Sequence, residues 1–520
     1  LLAVIMKLFS SRPDHPLGDA KELRRFLAEL PVDNSFKAVD EVYGWFESLH
    51  TADDFRVDQL FDLVRQLDEA AQPSLRLLTR AYVQTPQLSK SEERRLWTLC
   101  YNYWGEVASL YARCVDRCRQ KPKEKGCDAF KPHLALAATR LMAARATQLK
   151  WVEFRYDPIG EDLWRGLGQP YLAAEAGGYA QKPVQLYPSA QGLSCVAAQY
   201  QQALIFYSSS MDSLMPLEIE LADRLIAHFK PLFALTDNCQ PDSVWWVDSA
   251  SGSPPARLAR QPVRAVPSLR FLSSGGAAQA VNKLISGVEL GKVPSDLNLG
   301  GQYLANVLLP VLRHLARYWA PSPPQREHPR HSVKARVAVL QGFDDCFTVF
   351  AGDVARLGKE RSAASWVVEN VSLGGFGVGV DDLGGGFGGE FGGNALKIGT
   401  LLGLQPEGGE NWVLGVLRRF AKDTPAHARV GIETLSRQAK SVELRPRTTG
   451  FSATGTIPGI WLREAGAAGE ARMVLPGMGF NLRQSLEFID DGQRYLLTPV
   501  ELEEAGSHFE LARYRLTALS

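Results

Sequence analysis

Proline divides this chain into two stretches of different hydrophobic period. Pro321, Pro323 and Pro324 stand within four residues. Proline lacks an amide donor and its ring clashes with the preceding turn, so no helix runs through such a stretch. Before the break, apolar residues recur mainly at helical spacing. After it they fall in short alternating runs. The expected fold class is multidomain α+β: an N-terminal mainly α-helical region, a small antiparallel β-barrel, and further C-terminal strands. The expected segments are 1–236 (mainly helical), 237–320 (a small β insertion plus helices), 321–325 (Pro-rich linker), 326–440 (barrel) and 441–520 (C-terminal β extension).

The helical period is legible piece by piece. Residues 19–30 place Leu23, Phe26, Leu27 and Leu30 on one face, and Leu60, Phe61, Val64 and Leu67 repeat the spacing. Ser89 followed by Glu92 has the form of a capping box and predicts a helix to about residue 120. That helix carries Trp97, Tyr101, Tyr103 and Trp104, which read as core rather than ligand site. Residues 132–150, 191–206 and 216–229 predict further helices, with Pro216 suited to a first helical position. Residues 151–188 are interrupted by Gly and Pro and read as irregular. In the β insertion, residues 244–247 and 268–272 read as strands. Helices resume over 277–290 and 302–319, the latter with Leu304, Leu308, Val311, Leu315 and Trp319 along one face. No fixed-period repeat is present.

Beyond the break, residues 333–340, 346–354, 364–371, 374–380, 396–404, 412–420 and 428–434 read as short strands. Residues 381–394 form a glycine-rich loop. Its Gly384, Gly386 and Gly389 fit GxGxxG, but no strand leads directly in and no helix follows, so the match does not describe a dinucleotide fold. Runs at 442–447, 456–462, 485–489, 495–502 and 509–517 either extend the barrel or form a second β unit.

Bulk properties exclude several function classes. Lys and Arg number 58 against 57 Asp and Glu, a net charge of +1, so nothing global favours a nucleic-acid polymer or an anionic membrane. The basic break at 120–126 reads as a solvated loop. No stretch has the roughly 18 apolar residues of a membrane span. The opening LLAVIMKLFS is too short to span and lacks a basic leader and cleavage pattern, and Met6 is a candidate start. A cytoplasmic location is expected. Seven cysteines, an odd number, suggest a reducing compartment and free thiols. Cys114, Cys118, Cys127 and His133 lack the intervals of a structural zinc site and read as buried free thiols with a nearby histidine. There is no GxSxG, HExxH, Walker A or CxxC pattern, so no catalytic residue, metal or cofactor is expected.

Two stretches carry chemistry. Arg326 and Arg330 are four apart beside the linker, where two guanidiniums can fork around one anion, stack on a base or bond its Hoogsteen edge. Asn370 offers a carboxamide to a base edge, Ser372 a hydroxyl, and Gly374 and Gly375 allow close backbone approach. RxxxR alone is usually solvated charge, and NxSxxG alone is often a strand end with a bulge. Their order, spacing and β context make the pair more specific, and together they suit a guanine-containing phosphodiester.

The pair REHPR and NVSLGG, supported by WVLGVLRRF, resembles the PilZ domain, a bacterial receptor for cyclic di-GMP. The resemblance covers about 326–434. It implies a PilZ-like barrel in which Arg326 and Arg330 grip phosphate and guanine as the linker wraps the ligand. It also implies that Asn370 and Ser372 contact the ligand from the barrel surface, that Gly375 keeps that surface open, and that two stacked ligands can bind. The interval from Arg330 to Asn370 is long for the family, which suggests a loop extension within 341–363. The resulting expectation is a non-enzymatic receptor whose ligand, cyclic di-GMP, reorients the barrel and regulates an unidentified protein partner through the helical region. The alternatives are a scaffold protein whose barrel binds no nucleotide, and an enzyme housed in the helical region.

Overall fold

The computed structural model describes residues 13–84, 88–262, 264–294, 297–322, 328–353, 364–381, 390–391, 394–424, 426–447, 455–464, 469–506 and 508–519. The chain divides into two compact units. One comprises Leu1–Arg155, Ile159–Met211 and Pro216–Pro324; the other comprises Gln325–Ser520 with Tyr156–Pro158 and Asp212–Met215. The fold class is multidomain α+β, as the change of period implies.

The first unit contains, among the described residues, eleven α-helices. They are α1 (Ala20–Glu29), α2 (Ser35–His50), α3 (Val57–Gln84), α4 (Lys90–Gln120), α5 (Cys127–Phe130), α6 (Leu134–Glu153), α7 (Glu161–Ala176), α8 (Val196–Ser208), α9 (Pro216–Phe229), α10 (Ala277–Glu289) and α11 (Ala305–Trp319). The capping box is formed: the Glu92 amide donates to Ser89 Oγ (3.3 Å) and the Ser89 amide to Glu92 Oε2 (3.1 Å). Such a cap stabilises a helix start by about 1 kcal/mol. Four strands, β1 (Ala234–Thr236), β2 (Ser243–Asp248), β3 (Ala256–Arg257) and β4 (Leu269–Ser273), form a sheet in the order β1-β4-β2-β3.

Three sequence-based expectations change here. Residues 161–176, expected to be irregular, form α7. Gly166, Gly168 and Pro170 lower its propensity, but Leu163, Trp164, Leu167, Tyr171 and Ala174 bury one face. Gly168 serves close packing, since a Cβ there would lie 2.0 Å from the Ser249 carbonyl oxygen. Helix α11 starts one residue after Leu304, which is 74% exposed, while Leu308, Val311, Leu315 and Trp319 are buried. Finally, Cys118 and Cys127 are not free thiols. They form a disulfide, with Cα atoms 5.4 Å apart, because the turn after α4 brings α5 back alongside its end. Cys114 remains a buried thiol, and the His133 ring stacks on Phe61 at 5.3 Å.

The core of this unit contains a polar knot. Asp68, fully buried, accepts from the hydroxyls of Tyr103 (3.1 Å), Tyr111 (2.8 Å) and Tyr187 (3.2 Å) and from Gln72 Nε2 (2.7 Å). Buried Arg140 lies 3.6 Å away, pairs with Glu69 at 2.6 Å and donates to the Leu186 carbonyl. A buried charge is tolerated only with such partners. Tyr187 and Leu186 thereby tie a non-helical segment to the helices.

The second unit contains two closed antiparallel barrels. The first has strands β5 (His331–Gln341), β6 (Ala364–Ser372), β7 (Gly375–Asp381), β10 (Leu401–Pro406), β11 (Val413–Thr424) and β12 (His427–Ser436), in the order β10-β11-β12-β7-β6-β5, closed by β5 on β10. Two short strands, β8 (Glu390–Phe391) and β9 (Asn394–Ala395), pair with each other. The rest of the glycine-rich loop, with Gly384, Gly386 and Gly389, lies outside the described residues. The second barrel comprises β13 (Ala439–Pro446), β14 (Ile457–Leu462), β15 (Glu470–Pro476), β16 (Leu486–Asp490), β17 (Gln493–Ala505) and β18 (Phe509–Leu519), in the order β13-β14-β15-β18-β17-β16. Thus the C-terminal strands form a second β unit rather than extending the first.

Residues 346–354, expected as a strand, fall largely in helix α12 (Phe343–Phe350). Short apolar runs do not distinguish the two periods. Phe343, Cys346 and Val349 are three apart and all buried. This helix occupies part of the long interval between Arg330 and Asn370. Its Phe343 and Cys346 enter an apolar core shared by both barrels, with Leu414, Val416 and Leu435 from the first and Ile460, Leu462, Val474, Phe509 and Leu511 from the second.

Candidate ligand-binding site

Antiparallel pairing brings distant motifs to one end of the first barrel. His331, the first residue of β5, pairs with Val371 near the end of β6, and Ser332 pairs with Asn370. Exposed Arg330 immediately precedes this pairing, so it stands at the end where β6 turns into β7. Ser372 pairs with Gly375 across the two-residue turn Leu373-Gly374. Arg326, the other motif arginine, lies outside the described residues.

A β-bulge aims the asparagine. Between β6 and β7 the register shifts: Val368 pairs with Val378, but Asn370 pairs with Gly377. The extra residue is Glu369. Consecutive strand residues normally face opposite sides of a sheet, and a bulge suspends that alternation. Both Glu369 and Asn370 consequently lie over the same face of β7. That face is bare, because β7 alternates Gly375, Gly377 and Gly379 with Phe376, Val378 and Val380. A Cβ on Gly377 would stand 2.5 Å from both terminal atoms of Asn370, and one on Gly379 would stand 3.0 Å from Glu369 Oε1 and 3.2 Å from His427 Cε1. The Asn370 Oδ1 is buried and, among the described residues, accepts no hydrogen bond. A buried carboxamide oxygen without a donor costs about 1–3 kcal/mol, a cost that a water or a ligand N–H reaching it would relieve.

The other motif residues have structural partners. Ser372 Oγ donates to the Gly375 carbonyl at 3.3 Å. Gly375 is required by the barrel itself: a Cβ there would sit 2.0 Å from the Ile432 carbonyl oxygen of β12. At Gly374 the closest neighbour to a Cβ would be the His328 ring at 3.2 Å.

A cavity of ≈ 250 Å³ opens at this end, lined by His328, Pro329 and His331 from the linker side, by Val371, Ser372 and Leu373 from the turn, and by Arg437. Sequence reasoning named Ser372 among these and missed Arg437, which immediately follows β12, more than sixty residues further along. Arg437 Nη2 donates to the Leu373 carbonyl at 3.0 Å. The lining combines a guanidinium, a hydroxyl and two imidazoles with apolar side chains, which suits a planar base carrying a phosphate. Among the described residues, no group of three or more His, Cys, Asp or Glu is placed to hold a metal ion, and no helix is long and apolar enough to cross a membrane.

Residues 21–242 match a family model. It is described as the cyclic-di-GMP receptor FimW, N-terminal domain. The match covers less than half of the chain and ends before the barrels, so it bears on the helices and not on the cavity. No curated protein matches the chain.

Proposed function

We propose that this chain is a non-enzymatic receptor for cyclic di-GMP, bound at the linker end of the first barrel. The observation that carries the reading is the pairing of β5 with β6, which sets Arg330 beside the turn carrying Asn370, Ser372, Gly374 and Gly375. The match of residues 21–242 to the N-terminal domain of a cyclic-di-GMP receptor supports it from a different part of the chain. In this reading the barrel is PilZ-like. Arg326 and Arg330 grip phosphate and a guanine face, and Asn370 Oδ1 accepts from a guanine N–H. The cavity is smaller than the usual range of about 300–1,000 Å³ for a small-molecule site. It takes one end of the ligand, and the linker wraps the remainder.

A linker that is ordered by its ligand biases the barrel's orientation relative to the helical region, and the helices engage a protein partner. The proposed setting is cytoplasmic, where a soluble bacterial second messenger is met. Calorimetric titration with cyclic di-GMP tests the reading. Saturable micromolar or tighter binding is expected, weakened at least tenfold by Arg330→Ala. No binding to the wild-type chain refutes it. A pull-down with and without ligand tests whether the helical region's partner depends on the nucleotide.

A further inference from the structure

We propose that Arg437 is a second-messenger contact supplied by the connector between the two barrels and positioned by the second barrel. The proposal rests on the cyclic di-GMP reading above and adds a residue outside both motifs.

Three observations carry it. First, Arg437 lines the cavity together with Ser372 and His331. Second, its guanidinium is only partly used: Nη2 donates to the Leu373 carbonyl (3.0 Å), and among the described residues no carboxylate pairs with it. A guanidinium has five N–H donors in a fixed fork, so one bond to a carbonyl orients it and leaves donors for an anion. Third, its backbone is held from the other barrel. The Arg437 amide donates to Glu464 Oε1, and Ser436 Oγ lies 3.4 Å from the same oxygen. On the other side of Arg437, the Gln438 amide donates to Ser436 Oγ (3.0 Å) and the Gln438 carbonyl accepts from the Arg463 amide (3.3 Å). Arg437 thus stands in the two-residue link between β12 and β13. Its backbone is fixed by the loop after β14, and its side chain reaches back to the β6–β7 turn.

The chemistry favours a phosphate of the ligand over a base edge. The Nη2 bond to the Leu373 carbonyl holds the guanidinium in the cavity wall. A phosphodiester oxygen there gains a charge-assisted hydrogen bond. The same contact links ligand occupancy to the second barrel, because anything that draws the guanidinium inward pulls on a backbone anchored at Glu464.

Calorimetric titration of the full chain with cyclic di-GMP decides the matter, using wild type, Arg330→Ala, Arg437→Ala, Arg437→Lys and Glu464→Ala. Loss of one charged hydrogen bond predicts a tenfold to hundredfold weaker affinity for Arg437→Ala (on the order of 1.5–3 kcal/mol). Arg437→Lys, which keeps the charge but not the fork, should fall between it and wild type. Raising salt should weaken wild type more than Arg437→Ala. Glu464→Ala, which removes the accepting oxygen, should weaken binding in the wild-type background and have no effect once Arg437 is alanine, the signature of a positioning role. Wild-type affinity in Arg437→Ala, with Arg330→Ala still impaired, overturns this proposal and leaves the receptor reading standing. Absence of binding by the wild-type chain overturns both. An equal loss from Glu464→Ala in both backgrounds, or no loss in the wild-type background, overturns the positioning by the second barrel.

Discussion

Replacing Gly377 with alanine should impair the ligand site although no residue expected to contact ligand is itself replaced. The added Cβ would stand 2.5 Å from the Asn370 carboxamide atoms and 2.8 Å from its Cγ. Carbon does not approach other atoms so closely, and the asparagine side chain is too short to bend away, so it must leave its rotamer. Holding it off-rotamer costs about 0.5–1.5 kcal/mol. Its alternative is to abandon the position over β7 from which Oδ1 would accept from the ligand. A neutral hydrogen bond contributes on the order of 0.5–1.5 kcal/mol net, so cyclic di-GMP affinity should fall by about twofold to tenfold. Asn370→Ala should produce a similar loss. The double variant should bind like Asn370→Ala alone, because the added methyl no longer meets a carboxamide. Titration calorimetry on the four proteins measures this cycle, and urea denaturation confirms that each barrel is folded. Losses that add in the double variant, or unchanged affinity in Gly377→Ala, would refute the claim that the bare face of β7 exists to seat Asn370.

Gly375→Ala should act on stability instead: the clash at 2.0 Å is with backbone, so β7 and β12 must part, and the urea midpoint of the barrel unit should drop by the equivalent of about 2–4 kcal/mol; an unchanged midpoint would show that the strands slide freely. In the helical unit, Lys150 Nζ lies 2.8 Å from both Asp223 and Glu220. Burial opposes ionisation of Asp223, but the Lys150 charge and hydrogen bonds outweigh it and hold the carboxyl below the usual carboxylate range. A depressed carboxylate stabilises above its unfolded value near about 4 and loses that contribution as pH falls through the folded value. Melting temperature should therefore fall on acidification below about pH 4. Lys150→Met should cost about 3–5 kcal/mol at pH 7 and recover relative to wild type as the pH drops; parallel curves would contradict the pairing. Thiol titration of the denatured, unreduced protein should count five thiols, against seven after reduction, if Cys118 and Cys127 are joined. Closing a loop of this length stabilises by about 2.5 kcal/mol in the chain-entropy model, so reductant should lower the melting temperature of the helical unit.

Where local chemistry decides structure, the fold was legible in the sequence. Helix α4 begins at its capping box and ends at Gln120 because Ser89 and Glu92 satisfy its first amides and the turn beyond offers no further period. Helix α9 begins at Pro216, whose missing amide costs nothing there. Errors arose where tertiary contact overrides local preference. Helix α7 survives two glycines and a proline because its apolar face is buried and Gly168 admits the Ser249 backbone. Helix α12 took the place of a strand because its three-residue spacing meets a core built from both barrels, and nothing within ten residues announces the second barrel. The disulfide likewise depends on how sharply the chain reverses after α4, which the nine-residue spacing does not state.

For the candidate site the division is sharper. Residue type and order pointed to Arg330, Asn370 and Ser372, and the antiparallel register of β5 and β6 explains why residues forty apart share one end of a sheet. Register also explains what order could not convey. The bulge at Glu369 turns Asn370 onto the glycine face; without that extra residue Asn370 would point to the other side. Gly374 and Gly375 of NVSLGG read in sequence as openings for ligand, but Gly375 and Gly377, the latter outside that motif, have packing tasks of their own. Gly375 admits a neighbouring strand and Gly377 admits the asparagine. Arg437 was invisible because it becomes a neighbour of Leu373 only through the circuit β6-β7-β12, followed by a connector held at Glu464. A motif search sees the part of a pocket contributed by one hairpin and the segment before it. The remaining wall comes from barrel closure, and here the residue that completes it is also the one whose backbone is bonded to the second barrel. An Arg437→Ala chain that still bound cyclic di-GMP normally would leave the second barrel without a direct tie to the ligand, and the two motifs would then account for the pocket alone.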